Sequence, residues 1–252
     1  MHPPEVRAAV LELVDAGLND REVSRRTGIP RRTVRDMRRF REGRRATITE
    51  TCPRCWHAAK PMVFTSADYA ELLGLYLGDG CISRGARTDR LRISLDAKYP
   101  GIIEDARQLL VRCFPRNSIH VGDATTGACR SLSVYCCHLR CLFPQHGAGM
   151  KHLRSIELEA WQREHLAAAP WAFLRGCIRS DGCVFINRTG PYEYLSYDFT
   201  NSSDDIARLF VETCNRLALK PRVRKDARGR WKVRINRRGP VALLVEHVGL
   251  KA

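Results

Sequence analysis

The chain contains 252 residues, of which 44% are hydrophobic, and carries a formal net charge of +16 from 43 basic and 27 acidic residues. This size and apolar content predict a globular protein with one large domain or two to three small ones. The lack of a signal peptide and of a bilayer-spanning apolar run predicts a cytoplasmic protein without a membrane partner, and the positive charge favours nucleic acid and a nucleoid location.

The first 45 residues predict three short helices. Apolar residues at helical spacing predict the first helix over 4–16, where Gly17 ends it. A second helix is predicted over 20–26 and a third over 31–41, with a turn at 28–30 between them. Two helices joined by a glycine-containing turn, the second rich in arginine, resemble a helix-turn-helix.

The second helix of a helix-turn-helix enters the major groove of DNA. That interpretation predicts that the third helix of this chain presents a basic set of side chains to double-stranded DNA: Arg31, Arg32, Thr33, Arg35, Arg38 and Arg39. The alternative is a small basic bundle that docks onto another protein. The lengths of the turn and of the helices favour the helix-turn-helix.

Residues 46–66 predict a linker, because they are polar and lack periodicity. Within it, Cys52 and Cys55 form a Cys-x-x-Cys pair, which is half of a structural Zn²⁺ site. Candidates for the remaining ligands are His57, Cys136, Cys137, His138 and Cys141. The alternative is a pair of reduced cysteines in a linker, and the odd total of eleven cysteines argues against a disulfide framework.

Two later stretches share Leu, Gly, Asp and Gly at the same spacing. Residues 72–80 read LLGLYLGDG and residues 174–182 read LRGCIRSDG. Gly74 and Gly78 lie four residues apart and share one face of a helix, so they allow a very close approach to a second helix. We expect that second helix to be the one in the later stretch, with Gly176 and Ser180 at the contact.

The same order of predicted elements follows each stretch. After the first come a strand at 90–95, a helix at 100–113 and strands near 118–121 and 131–136. After the second come strands at 185–187 and 192–199, a helix at 203–218 and a hairpin of 221–225 and 230–235. Asp96 and Asn201 occupy equivalent positions in the two repeats.

Basic residues alternate with apolar residues along these strands, so each sheet is predicted to have one cationic and one apolar face. The candidate DNA-binding residues on the cationic faces are Arg90, Arg92, Arg222, Arg224, Lys232 and Arg234. The alternative is an ordinary solvated surface. Recurrence of the pattern in both repeats favours a shared DNA-binding surface.

Packing of the two helices at their glycines would bring Asp79 and Asp181 together. Two neighbouring carboxylates repel each other unless a cation lies between them, and oxygen ligands suit Mg²⁺ or Mn²⁺. A divalent metal held by acids is the usual apparatus for hydrolysing phosphodiester bonds. The alternative is that each aspartate only ends its helix beside a glycine. The repetition of the motif favours the metal site.

In these residues, and over roughly 66–252, the chain resembles the LAGLIDADG homing endonucleases of the dodecapeptide type, which occur in inteins and as free-standing proteins. The resemblance implies an α+β fold of two αββαββα repeats whose β-saddles straddle DNA. We therefore expect a helix-turn-helix domain at 1–45, a linker at 46–66 and repeats at 67–160 and 161–252. Both repeats lie in one chain, so a monomer is expected.

The resemblance also implies the activity and its residues. It predicts site-specific cleavage of double-stranded DNA, with Asp79 and Asp181 as the metal-binding acids and the backbone oxygens of Gly78 and Ser180 beside them. It further predicts a catalytic basic residue after the last strand of each repeat. Lys151 matches this position in the first repeat, and Arg237 or Arg238 lies in the corresponding region of the second.

Two features depart from the family pattern. Arg175 and Arg179 stand in the second stretch where the family has small, apolar or acidic residues, which questions symmetrical packing of the helices. The chain also joins a helix-turn-helix to the nuclease-like unit, as do sporulation regulators that have lost the acids and bind DNA without cutting it. In those regulators the helix-turn-helix follows the unit, whereas here it comes first. A non-cleaving transcriptional regulator is therefore the alternative, and the retained acids favour the endonuclease.

Overall fold

A computed structural model of the chain describes residues 2–42, 64–85, 88–123 and 127–251. The chain divides into two compact units, residues 1–60 and residues 61–252. The predicted Zn²⁺ ligands Cys52 and Cys55 lie outside the described residues. None of the described helices has the length and apolar character that crossing a membrane requires.

The N-terminal unit contains the three predicted helices, α1 (Pro4–Asp15), α2 (Asp20–Thr27) and α3 (Arg31–Glu42). The side chain of Asn19 accepts hydrogen bonds from the backbone of the first turn of α2, which fixes where that helix begins. Gly28 ends it with a positive φ of 71°, a conformation that glycine adopts without strain. A small core holds the helices together: Val10, Val23, Ile29, Val34 and Met37.

The larger unit repeats the order αββαββα twice. The first repeat consists of α4 (Ser66–Asp79), β1 (Gly80–Arg84), β2 (Asp89–Asp96), α5 (Pro100–Cys113), β3 (Ile119–Asp123), β4 (Cys129–Tyr135) and α6 (Leu139–Leu142). A 3₁₀ turn (Lys151–Leu153) and α7 (Ala160–Ala168) connect the repeats. The second consists of α8 (Pro170–Asp181), β5 (Gly182–Thr189), β6 (Tyr192–Asn201), α9 (Asp204–Arg216), β7 (Arg222–Lys225), β8 (Trp231–Ile235) and α10 (Arg238–His247).

Each repeat forms a four-stranded antiparallel sheet, with the strand orders β1-β2-β4-β3 and β5-β6-β8-β7. The predicted alternation of faces is confirmed in β2 and β8 but not in β7, where every residue, Val223 included, is exposed. In the first sheet Leu91 and Ile93 are buried, whereas Arg92 between them is exposed. In the second, Val233 and Ile235 are buried. The apolar faces therefore pack into the common core, and the basic faces point away from it.

The helices α4 and α8 pack against each other at their glycines, as predicted. A Cβ atom added to Gly74 would lie 2.6 Å from the carbonyl oxygen of Phe173 and 2.8 Å from the amide nitrogen of Cys177. A Cβ atom on Gly176 would meet the carbonyl oxygen of Glu71. Backbone therefore touches backbone here, and no larger residue fits without moving one helix.

Some elements were not predicted from the sequence. Strand β1 begins at Gly80, directly after the last residue of α4, so no loop separates it from the helix. Helix α10 is the final helix that the resemblance implies for the second repeat, although the local periodicity of the sequence did not predict it. It packs through Val241 and Leu244, which are buried. The connecting helix α7 was also missed.

Candidate functional site

The two helices that meet at the glycines both end in an aspartate. Asp79 is the last residue of α4 and Asp181 is the last residue of α8, and each is followed by a glycine that opens a strand. Gly80 and Gly182 have extended backbone conformations, with φ of −85° and −89°, rather than the left-handed conformation of a glycine that stops a helix. The glycines are needed for space, because a Cβ atom on Gly80 would lie 2.8 Å from the carbonyl oxygen of Tyr76.

Asp79 and Asp181, hereafter the acid pair, influence each other. A Cβ atom on Gly78 would lie 3.4 Å from Cγ of Asp181, so this carboxyl group approaches the end of α4. Burial and the charge of Asp181 raise the pKa of Asp79 to about 6. Burial also raises the pKa of Asp181, against the effect of its hydrogen bond with Asn201. Asp79 is exposed as a whole residue, but protein atoms around its carboxyl group still exclude part of the water there, and Asp181 is half-buried.

Lys151 lies at the C-terminal end of α4. Its Nζ atom donates hydrogen bonds to the carbonyl oxygens of Tyr76 at 2.6 Å, Leu77 at 2.8 Å and Gly78 at 2.6 Å. The last carbonyls of a helix lack the usual intrahelical donors, although that of Tyr76 also accepts from the backbone N–H of Gly80. A cation there also interacts favourably with the helix dipole. Burial lowers the pKa of Lys151 to about 8, although the charges of the acid pair oppose that shift.

Lys251 takes the same position at the end of α8. Its Nζ atom donates to the carbonyl oxygens of Ser180 at 2.7 Å and Gly182 at 2.8 Å, and burial lowers its pKa. Sequence reasoning missed this residue and considered Arg237 and Arg238, which are exposed at the start of α10. One signal was available, because Lys251 follows Asp181 at nearly the same separation as Lys151 follows Asp79.

The two halves of the site differ in the residue that ends the second strand of each repeat. Asn201 donates from Nδ2 to Oδ2 of Asp181 at 2.7 Å, and its Oδ1 accepts from the backbone of Ser203 at 2.8 Å. The predicted equivalence of Asp96 is wrong, because the strand register places Leu95, which is buried, at the position of Asn201. Asp96 lies one residue further on and forms an ion pair with Lys98 at 2.9 Å. Asp181 is therefore held by a neutral donor that the first repeat lacks at this position.

A cleft of about 500 Å³ opens beside the acid pair. Its lining includes Lys151, Asp181, Asn201, Arg230, His146 and Met150. Among the described residues, no group of three or more histidines, cysteines, aspartates and glutamates is arranged to hold a metal ion. A metal ion here would therefore depend on the acid pair together with oxygens from the backbone, from water or from a bound phosphate.

The candidate DNA-binding residues of the first sheet face a second cleft, of about 460 Å³. Arg90 donates to the hydroxyl group of Ser133 at 3.0 Å, and Arg92 contacts Sγ of Cys81 at 3.6 Å. The lining also contains hydroxyl and imidazole groups. The cleft is lined by Arg90, Arg92, Ser94, His120, Val121, Gly122, Asp123, Ser131 and Ser133.

Of the four candidate DNA-binding residues of the second sheet, two are exposed and two form ion pairs. Arg222 and Arg224 are exposed on β7. Lys232 and Arg234 form ion pairs with Asp198, at 3.1 Å and 2.7 Å respectively. Sequence analysis did not consider Asp198, a buried acid within the cationic face.

The candidate DNA-binding residues of the N-terminal unit divide into exposed and half-buried side chains. Arg31, Arg32 and Arg35 are exposed on α3, and Thr33 is half-buried. Arg38 is also half-buried and donates to the carbonyl oxygen of Leu18 at 2.9 Å, and it pairs with Asp20 at 3.0 Å. These bonds tie α3 to the start of α2. The side chain of Arg39 lies outside the described residues.

Arg175 and Arg179, which depart from the family pattern, have a clear structural role. Arg175 and Arg179 pair with Glu71 of α4 at 3.0 Å and 2.8 Å, and Arg179 also pairs with Asp105 at 2.7 Å. Glu71 is buried, so the arginines neutralise it. They therefore join α8 to α4 beside the glycine contact and do not hinder it.

Family comparisons support both parts of this description. Residues 2–47 match the model of a homeodomain-like domain, and residues 169–249 match that of a LAGLIDADG-like domain. The chain contains a LAGLIDADG-like domain. The model match covers the second repeat, and the first repeat has the same order of elements. No curated protein sequence matches the chain.

Solved structures show the LAGLIDADG fold over both repeats. Mesophilic variants of the homing endonuclease I-DmoI are 18% identical over 72% of this chain and 89% of theirs, with a TM-score of 0.50. An I-DmoI variant bound to its nicked target DNA in the presence of Mn is 15% identical over 73% of this chain and 96% of its own, with a TM-score of 0.50. Full-length DUF199/WhiA from Thermatoga maritima is 14% identical over 76% of this chain and 58% of its own, with a TM-score of 0.50. At these identities the likeness establishes the fold alone.

Proposed function

We propose that the protein is a site-specific endonuclease that hydrolyses phosphodiester bonds of double-stranded DNA with a divalent metal ion at Asp79 and Asp181. The observation that carries the proposal is the acid pair at the ends of the glycine-packed helices. A lysine lies beside each acid, and packing alone requires neither acids nor lysines there.

The donor set fits a hard divalent cation such as Mg²⁺ or Mn²⁺. Burial and the charge of Asp181 raise the pKa of Asp79, and a cation between the carboxylates would relieve the effect of that charge. The acid pair would hold the ion, with the backbone oxygens of Gly78 and Ser180 beside it. Each of these two oxygens already accepts a hydrogen bond from a lysine, so only its second lone pair is free for the ion. When bound, the metal supplies activation of water and neutralisation of charge on the leaving oxygen.

Lys151 and Lys251 would act on the phosphates. As ammonium groups they offset the negative charge of a phosphodiester drawn into the cleft. The lowered pKa of Lys151, about 8, leaves a fraction of the amine neutral near physiological pH, and its Nζ atom can then accept or return a proton. Its three hydrogen bonds to the end of α4 hold that nitrogen in place.

The partner in this proposal is double-stranded DNA, contacted along the basic faces of both sheets. Residues 1–45 are proposed to bind DNA as a helix-turn-helix through the exposed Arg31, Arg32 and Arg35. Residues 46–66 link this domain to the repeats at 67–160 and 161–252. The protein acts as a monomer that carries both catalytic halves, and it is located in the cytoplasm at the nucleoid.

Deletion of 1–45 should weaken binding and reduce its salt dependence, because arginine–phosphate contacts are lost. Unchanged affinity and salt dependence would contradict the role of this domain.

Cleavage of a DNA site selected from a random library tests the activity. The full chain should cut or nick the selected duplex only with Mg²⁺ or Mn²⁺. Asp79→Asn and Asp181→Asn should abolish cleavage and leave binding largely intact. Glu164→Gln also neutralises one carboxylate, at an exposed acid of α7, and is the matched control that should cut normally. Full activity in both acid variants would refute the mechanism.

The second candidate function is a DNA-binding regulator that does not cut. The observation in its favour is that DUF199/WhiA shares the fold and that a homeodomain-like domain accompanies it here. It predicts tight, metal-independent binding of the selected duplex and no strand cleavage with any divalent ion. The same assay therefore separates the two functions.

A structural Zn²⁺ ion at Cys52 and Cys55 remains a further proposal, supported by their Cys-x-x-Cys spacing. Elemental analysis of the purified protein tests it. Zinc should copurify with the wild-type chain and be lost from Cys52→Ser. Equal zinc contents in the two proteins would contradict it.

A further inference from the structure

Asp198 lies on the face of the second sheet that is otherwise cationic. Its Oδ1 accepts a hydrogen bond from Nε of Arg234 at 2.7 Å, and its Oδ2 accepts from Nη2 of Arg234 at 2.8 Å. Nζ of Lys232 approaches the same Oδ2 at 3.1 Å. A buried carboxylate subtracts from the attraction of this face for phosphates, so electrostatic binding alone gives no reason for it.

The first sheet shows that the fold does not require this acid. The β6–β8 pair Asp198–Arg234 takes the place that the β2–β4 pair Arg92–Ser133 takes in the first sheet. Both Asp198 and Arg92 also lie opposite the cysteine that follows the Asp-Gly of their own repeat. Arg92 is exposed at its position and is not part of an acid–arginine pair there. The second sheet therefore carries a distinct arrangement at an equivalent site.

The bonds to Asp198 fix the guanidinium group of Arg234 in one orientation. Nε and Nη2 face the carboxylate, and the guanidinium carbon lies 5.1 Å from the ring centroid of Phe185. Within the described part of the chain, Nη1 of Arg234 makes no hydrogen bond, and the side chain is 27% exposed. Nη1 and the second hydrogen of Nη2 thus form a free pair of donors at the end of the side chain.

We propose that Arg234 reads a guanine in the major groove that faces the second sheet, and that Asp198 and Phe185 act as positioning residues that hold it for this contact. The inference rests on the proposed DNA-binding function. Guanine presents O6 and N7 as two adjacent acceptors, which match the paired donors at the end of the guanidinium group. A side chain fixed before binding loses less entropy on contact, whereas a phosphate contact needs no such fixation.

Asp198 itself is not the base reader. A carboxylate can accept a hydrogen bond from the amino group of cytosine, but both oxygens of Asp198 are engaged by Arg234 and Lys232. Lys232 can contact guanine, but its Nζ already pairs with Asp198, and its rotatable ammonium group lacks the fixed planar pair of donors of an arginine. The base preference is therefore assigned to Arg234.

Selection of bound duplexes from a random library, without divalent metal and at fixed salt, tests the inference on the full chain. The wild-type protein should require guanine at one position of the half-site under the second sheet. Arg234→Ala should lose that preference, with a loss of affinity for the selected site on the order of 10- to 100-fold. Arg234→Lys keeps the charge but loses the fixed planar pair of donors, so it should weaken the preference, though less than Arg234→Ala does. The matched control is Arg222→Ala, an exposed cross-strand neighbour of Arg234, which should weaken binding to all sequences alike.

Asp198→Asn separates positioning from simple structural support, because it keeps the shape and removes the charge. It should relax the guanine preference and at the same time raise the affinity for random DNA. An ion pair that only supports the sheet would instead lower the melting temperature and leave the base preference unchanged. That result, or survival of the preference in both Arg234 variants, would overturn the inference while wild-type binding upheld the proposed function. A wild-type chain that binds no duplex would overturn both.

Discussion

The first repeat ends its helix α4 at Asp79, which is exposed, and the second ends α8 at Asp181, which is half-buried and hydrogen-bonded to Asn201. Their lysines are more alike. Lys151 donates to three carbonyls of α4, and Lys251 donates to two carbonyls at the end of α8. The halves therefore share the acid and the cation and differ in how firmly the acid is held.

The sheets differ more than the helices do. The lining of the first sheet's cleft includes arginine, serine, histidine and one exposed acid, Asp123, whereas the basic face of the second sheet contains a buried acid, Asp198, bound to Arg234. The glycine contacts between α4 and α8 are reciprocal at Gly74 and Gly176. The two repeats are thus alike at this contact and differ on the surfaces that face DNA in the proposed complex. An asymmetric surface of this kind suits a DNA site whose two halves differ in sequence.

After removal of the acids themselves, removal of either lysine should have the largest effect on activity, and it tests whether the two halves are equivalent. Lys151→Met and Lys251→Met should each slow cleavage by on the order of 100-fold, because each loses a cation beside the acid pair. A supercoiled plasmid carrying the selected site should then accumulate as the nicked form. Lys220→Met, a change at an exposed lysine after α9, is the control. Equal loss of both strand cuts in each variant would show that the halves do not act separately.

An added methyl group at the contact between α4 and α8 should destabilise the feature that the two repeats share. In Gly176→Ala the new Cβ atom would lie 2.9 Å from the amide nitrogen of Leu75 and closer still to the carbonyl oxygen of Glu71. Both are backbone atoms of α4, so the free energy of unfolding should fall by about 2–3 kcal/mol. Gly101→Ala in α5 meets nothing within 4 Å and should not destabilise. Urea denaturation of both variants checks this, and equal midpoints would contradict the close contact.

The sequence predicted the shared features of the repeats better than their differences. The spacing of Gly74, Gly176, Asp79 and Asp181 was sufficient to predict the helix pair, because close packing of helices demands small residues at a fixed interval. Helix α5 was predicted with its observed bounds, Pro100–Cys113. These features depend on local periodicity, which a single sequence displays.

The differences arise from contacts between distant segments. Lys251 reaches α8 from beyond the last helix, and its role is visible only when the two repeats are aligned from their acids. Asp198 and Arg234 meet because β6 pairs with β8, and the alternation of basic residues alone did not reveal the acid. Arg38 was predicted to face DNA, but its contacts with Leu18 and Asp20 depend on how α2 and α3 pack.

Removal of the hydrogen bond to Asp181 should make the second half of the site resemble the first. In Asn201→Ala the carboxylate loses the bond at 2.7 Å that lowers its pKa, so protons should compete better with metal. We expect cleavage to slow by about 10-fold, in line with the value of a hydrogen bond to a charged group. The acid limb of the pH–rate profile should also move to higher pH. A slower rate with an unshifted profile would indicate a structural defect instead.

The smallest expected effect concerns the stability of the metal-free protein and distinguishes Asp79 from an ordinary surface acid. Its pKa in the folded state, about 6, exceeds the ordinary value of 3.8. The folded state therefore binds this proton more tightly than the unfolded state does. The carboxyl group contributes most to stability below its unfolded pKa, and this contribution is lost as pH rises through about 6.

Asp79→Asn cannot ionise and should escape that loss. The rise in the pKa of Asp79 from 3.8 to about 6 corresponds to about 3 kcal/mol. Solvent screening at this exposed side chain reduces the expected gain in the free energy of unfolding to about 1 kcal/mol. In the presence of a chelator, urea denaturation should show the variant to be more stable than the wild type near pH 8 and equal to it near pH 4. The control for the loss of one negative charge is Glu164→Gln at an exposed acid of α7. An equal difference at both pH values would mean that the charge on Asp79 costs the fold nothing, and that the acid pair lies too far apart to repel.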